Sequence, residues 1–96
     1  MEAVADIMVE RNVEESVVQT MGARSWRTRE ASVGSFDWTY EVKTICFIVD
    51  GKATVTPEGG AAIFIEPGDL CKFRKGLRCT WQVQSPVIKH YKTEEE

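Results

Sequence analysis

The residues able to do chemistry near neutral pH are few and scattered along the chain. His90 is the only histidine. It is suited to acid–base work near neutrality, yet it sits between Lys89 and Tyr91 in a late alternating run, where a structural role at a strand end or an interface is expected. Cys46, Cys71 and Cys79 are too few, and odd in number, for a disulfide framework. They read as reduced thiols of an intracellular protein, with Cys46 and Cys71 packing as small apolar residues. Phe36, Trp38 and Tyr40 recur at alternate positions, with Glu41 and Lys43 beside them as candidate charged groups. Asp69 follows Gly68 and is placed to stabilise a turn. The sequence shows no nucleophile–base pair, phosphate-cradling loop or paired carboxylates.

Composition narrows the class. Ninety-six residues make one domain with a modest core. A 43% hydrophobic and 28% charged composition is that of an ordinary globular protein. There is no run of about 20 apolar residues that would span a membrane. Residues 1–10 alternate acidic and apolar side chains, unlike a secretory signal or a transit peptide. A cytoplasmic protein is therefore expected, or a plastid one if a longer precursor was trimmed. The net charge of −3 opposes general nucleic-acid binding, but it is unevenly spread. Residues 1–66 carry six basic and eleven acidic side chains, whereas residues 67–92 carry six basic and one acidic. Lys72, Arg74, Lys75 and Arg78 form a basic stretch that suits either an anion or, more simply, a solvated rim around a buried strand.

The elements that must position these residues are mostly strands. Asn12–Gly22 carries the one clear helix signal: Asn12 and Glu15 in capping-box spacing, Val13, Val17 and Met21 at helical intervals, and Gly22 as a stop. From Phe36 onward the period is two. Thr44–Val49 and Lys52–Thr56 flank Asp50-Gly51, which predicts a hairpin. Ala61–Ile65 and Leu70–Phe73 follow, separated by Pro67-Gly68-Asp69. Cys79–Val83 and Val87–Tyr91 close the series, with Ser85-Pro86 read as the break between them. Short strands punctuated in this way predict an all-β sandwich or barrel. The expected layout is an N-terminal strand and short helix over 1–25, a barrel over 26–92 and a disordered acidic tail over 93–96.

The turns carry a more specific likeness. Cys46-Phe47-Ile48-Val49-Asp50-Gly51-Lys52-Ala53-Thr54-Val55-Thr56-Pro57, then Pro67-Gly68-Asp69-Leu70, Phe73, Gly76, Thr80-Trp81 and Lys89-His90-Tyr91, resemble the motifs of small single-domain cupins. Within these, the group related to the cupin domain of (S)-ureidoglycine aminohydrolase is the most similar. The resemblance covers about residues 26–92 and implies a single RmlC-like jelly-roll cupin barrel. Laid on the two cupin motifs, the histidine positions fall on Trp38 and Tyr40, the glutamate position on Thr44, the proline position on Arg74 and the third histidine position on Cys79. The resemblance therefore implies a barrel without the usual metal ligands. The aminohydrolase activity requires a metal and is not carried over. Cys46 and Cys79 offer a soft ion two thiolates at most, and thiolate sites usually need three or four donors. No cofactor is expected.

What remains is an aromatic lining. Strand parity gives Phe36, Trp38 and Tyr40 one face, Thr44, Cys46 and Ile48 another, and Cys79 and Trp81 a third. Trp26, Trp38, Tyr40, Thr44, Cys46, Cys79 and Trp81 are the expected ligand-binding residues, although aromatics fill a small barrel as readily as they line a pocket. The leading expectation is a metal-free module holding a small, partly apolar or planar molecule. One alternative is an enzyme acting on a nitrogenous or sugar-like metabolite through Tyr40, Cys79 and Lys43. The other is a single-stranded nucleic-acid-binding barrel stacking bases on Phe36, Trp38 and Tyr40, which the acidic first two-thirds opposes. Cupins commonly pair through edge strands, so a homodimer is expected.

Overall fold

Two long strands carry the architecture. In the computed structural model, which describes residues 7–94, β4 (Lys43–Pro57) and β7 (Arg78–Glu94) pair antiparallel from Lys43↔Glu94 to Pro57↔Cys79. Five shorter strands complete one antiparallel sheet: β1 (Ile7–Glu10), β2 (Arg27–Ala31), β3 (Gly34–Thr39), β5 (Ile63–Ile65) and β6 (Leu70–Phe73). The order is β1-β6-β4-β7-β2, with β3 also on β7 and β5 also on β4. Among the described residues this ladder leaves its ends unjoined, so a mostly β, folded antiparallel sheet is seen where a closed barrel was expected.

The two turns anticipated at Asp50-Gly51 and Ser85-Pro86 are not turns. Both lie inside the long strands, where the register shifts between Ile48 and Ala53. The extra residue falls first on β4 and then on β7: Ile48↔Lys89 is followed by Asp50↔Ile88, and Lys52↔Ser85 by Ala53↔Val83. Gly51 supplies a positive φ of 87° there, and a Cβ on it would run into the Pro86 carbonyl. The Asp50 carboxylate accepts the Gly51 N–H at 2.9 Å, and Pro86 needs no ladder donor at this irregular site. Glycine, aspartate and proline thus make an irregular crease where an isolated hairpin was predicted.

The crease decides which residues face inward. On β4 the inward set is Cys46 and Ile48 before it and Ala53 and Val55 after it, a change of parity. On β7 the odd positions Cys79, Trp81, Val83, Val87 and Lys89 are all buried. Apart from Lys89, they form the inner core with Ile65, Cys71, Phe73 and Leu77. A second core lies on the outer face of β4, where Ile45 and Phe47 pack with Leu70 under Val18 and Ala23.

Val18 comes from α1 (Glu15–Met21), which ends at Gly22 in the left-handed conformation, as expected. Burying Val18 to 1% exposure contributes about 1.5–3 kcal/mol to docking the helix. Val17, one of the expected core positions, is exposed. The capping box is absent too: Glu14 is the N-cap, without a side-chain bond, and Asn12 precedes it with φ of 49°. Glu15 instead takes both Nε and Nη2 of Arg24, at 2.9 and 2.6 Å.

Asp69 does hold its turn. It is 2% exposed, and its Oδ2 accepts the Glu66 N–H at 2.9 Å and pairs with Arg11 Nη1 at 2.6 Å. At the other end, β7 continues through Thr93 and Glu94, where a disordered tail was expected to begin; Glu94 Oε1 lies 3.6 Å from Lys43 Nζ. Residues 95 and 96 lie outside the described residues.

Candidate functional site

On the inner face of the sheet, β2, β3, β4 and β7 surround a cavity of about 700 Å³. Its rim is β3, whose residues are all exposed and which pairs with β7 in the register Phe36↔Trp81 and Trp38↔Cys79. That pairing stacks Phe36 on Trp81, with ring centroids 6.1 Å apart and planes within 7°. Tyr40 follows β3 and turns inward. Its N–H donates to the Leu77 carbonyl at 2.8 Å and its carbonyl accepts from the Gly76 N–H at 2.6 Å. The ring stacks on Phe73 at 4.3 Å and meets Trp38 edge-on at 6.4 Å.

Five of the seven expected site residues line this cavity: Trp38, Tyr40, Thr44, Cys46 and Trp81. Two do not. Trp26 packs against the outer core under α1, where Lys92 Nζ lies 5.2 Å from its ring. Cys79 is buried behind the lining, with its thiol 3.8 Å from the Trp38 carbonyl oxygen. Lys43 is also absent from the lining, so the trio Tyr40, Cys79 and Lys43 does not converge. His90 points to the opposite face, where Nδ1 is 3.0 Å from Thr28 Oγ1. Cys46 lies opposite Cys71 across β4 and β6, not opposite Cys79.

Lys89 and Arg29 are among the lining residues that sequence reasoning did not place in the site. Lys89, 8% exposed, lies with its Nζ 4.1 Å from the centroid of the Trp81 ring. Arg29 sits directly opposite it on β2, with Cζ 5.2 Å from the Trp38 ring and 5.4 Å from that of Tyr91. Lys89 shares its odd parity with Trp81 along an unbroken β7, a signal hidden by reading Ser85-Pro86 as a strand break.

The buried phenol and thiols at this site are held neutral. Burial pushes the Tyr40 phenol far above its ordinary range, and the Cys46 and Cys79 thiols reinforce this. Burial likewise raises Cys46 and Cys71, and takes Cys79 up to about 11. Among the described residues the Tyr40 hydroxyl and the Trp81 indole N–H are fully buried without a partner in good hydrogen-bond geometry, although the Trp81 N–H lies near enough to the Tyr40 hydroxyl and the Cys79 thiol to offset part of their upward shifts. Thr44 spends its hydroxyl on the Val42 carbonyl at 3.0 Å.

Residues 18–91 match the EutQ-like cupin domain. The chain belongs to that family. A DUF861-family protein of Thermotoga maritima is 39% identical, with a TM-score of 0.87 over 92% of this cupin and 99% of the bacterial chain. EutQ of Clostridium difficile is similar at 24% identity and a TM-score of 0.64, covering 71% of this chain and 53% of its own. A DUF1255 protein of unknown function from Acidithiobacillus ferrooxidans has a TM-score of 0.65 at 17% identity, over 67% and 61% of the two chains. The last two show the fold alone. No curated protein matches the chain.

Cupins often hold a divalent metal, and the residues at the corresponding positions here do not fit one. Trp38 has no lone pair to offer and Thr44 is a neutral alcohol committed to Val42. Tyr40 and Cys79 are kept protonated by their surroundings, whereas a metal needs the deprotonated donor. Lys89 and Arg29 also place positive charge in the cavity that a cation would share. Among the described residues no group of three or more His, Cys, Asp and Glu could hold a metal ion.

Proposed function

We propose that this cupin is a metal-independent binding domain whose aromatic cavity takes a small, planar, partly apolar molecule. The observation that carries this is the pair of orphaned donors. Buried polar atoms are almost always partnered, yet among the described residues the Tyr40 hydroxyl and the Trp81 N–H lack a partner in good hydrogen-bond geometry. Both residues line a cavity of about 700 Å³, within the range of small-molecule sites. Phe36 and Trp38, 36% and 41% exposed, offer flat apolar faces at the rim, with Tyr40 and Trp81 buried beneath them. An enzyme working through Tyr40, Cys79 and Lys43 is disfavoured because the three do not meet. Stacking of single-stranded nucleic acid on β3 is disfavoured by Glu30, Asp37 and Glu41 around the same cavity.

Titration with benzamide, a neutral planar probe, tests the proposal through tryptophan fluorescence. A saturable change that survives chelator treatment is expected. Trp38→Ala, at a rim residue 41% exposed, is expected to weaken binding about tenfold while leaving the fold intact. Binding that depends on added divalent metal, or that is indifferent to Trp38→Ala, contradicts it.

A further inference from the structure

The cavity lining carries Glu30, Asp37 and Glu41 against Arg29 and Lys89, but the three acids are exposed whereas Lys89 is buried. Lysine is almost never buried unless it is paired, and Lys89 is 8% exposed. Among the described residues it makes no ion pair with a carboxylate, and neither does Arg29, its cross-strand neighbour. Like charges directly opposite one another on a sheet are destabilising, and here two cations face the same cavity. The rings beside them offset part of this. The Trp81 face takes one side of the Lys89 ammonium, and Trp38 and Tyr91 take the Arg29 guanidinium. An ammonium has three donors, however, and a ring face satisfies one direction only. The Tyr40 hydroxyl and the Trp81 N–H, near each other in the same lining, also lack a partner in good hydrogen-bond geometry among the described residues.

We infer that this cluster is an anion site, and that the ligand is a small planar molecule bearing a single carboxylate held by Lys89. This rests on the reading of the cavity as a binding site and specifies its ligand class. A carboxylate has two oxygens and about four lone-pair directions, enough to meet the ammonium donors that the Trp81 ring leaves free. Its flat apolar body then lies against Trp38 and Phe36 toward the rim. The acids of the lining disfavour a second negative group there. Glu30 and Glu41 are exposed, and Asp37 is engaged by Thr80 Oγ1 at 2.9 Å and by Arg78 at 3.6 Å. A monoanion is therefore favoured over a dianion.

Benzoate and benzamide have nearly the same shape and differ in charge, so their affinities separate this inference from the reading beneath it. Calorimetric titration of the unaltered protein at pH 7 is expected to give benzoate at least about tenfold the affinity of benzamide, as for a charge-assisted hydrogen bond. Lys89→Met, close to isosteric, is expected to erase that preference by bringing benzoate affinity down to that of benzamide. Equal affinity for the two probes in the unaltered protein overturns the anion site and leaves the aromatic pocket standing. A benzoate preference that survives in folded Lys89→Met overturns the role of Lys89. Failure of both probes to bind the unaltered protein overturns the inference together with the pocket itself.

Discussion

Tyr40, Cys46, Cys71 and Cys79 are ionisable groups packed where their charged forms are poorly solvated. Each is raised above its ordinary value, chiefly by burial, with Cys79 taken from 9.0 to about 11. The unfolded chain would release these protons at lower pH than the folded one. Above the unfolded value the folded state therefore binds more protons, and stability falls as pH rises. Urea unfolding midpoints are expected to be unaffected by these groups below about pH 8 and to drop progressively between about pH 9 and pH 11. A midpoint that holds constant or rises across that window contradicts the assignment of these groups as buried and neutral. Trp38, Tyr40 and Thr44 were legible as residues of one site, and all three line the cavity; their standing as replacements for metal ligands rests on the resemblance to the cupin motifs. The Lys89 ammonium was not, since its burial depends on a cross-strand context that no local pattern reports. Trp26 was misplaced for the converse reason: an aromatic before a strand gives no hint of which face of the sheet it covers.

At the scale of elements, the crease in β4 and β7 positions the site. It keeps Lys89 and Trp81 on one face of one strand while β4 switches parity opposite them. Gly51 is the residue that permits it, combining a φ of 87° with close approach to Pro86. Gly51→Ala is expected to cost about 2 kcal/mol or more, through left-handed strain and displacement of β7. A thermal or urea midpoint within error of the parent contradicts the role given to the crease. Sequence signals found this place but not its geometry. Asp-Gly and Ser-Pro mark irregular backbone, and whether that means a hairpin or a bulge depends on the partner strand, which lies about 35 residues away in sequence. Helix α1 shows the same limit. Its existence and its Gly22 stop follow from local chemistry, whereas Val18 rather than Val17 is buried because the sheet, not the helix, chooses the face. Strand β2 carried no alternation at all in Arg27-Thr28-Arg29-Glu30-Ala31, because it is an exposed strand paired to β7 on one side.

For the whole molecule, one antiparallel sheet folds around an inner core, and the outer face of β4 is closed by a short helix. That arrangement puts one tryptophan of three on the far side of the sheet. Trp38 and Trp81 line the cavity, while Trp26 belongs to the outer core. No helix among the described residues is long and apolar enough to cross a membrane. The inner face is proposed as a ligand pocket built from aromatics in place of a metal centre. The three indole N–H signals in a ¹H–¹⁵N spectrum test it within a single sample. On titration with benzamide, the Trp81 N–H in the cavity lining is expected to shift saturably, with the Trp26 N–H unmoved. A Trp81 signal that does not shift, or one that moves no more than Trp26, would contradict it.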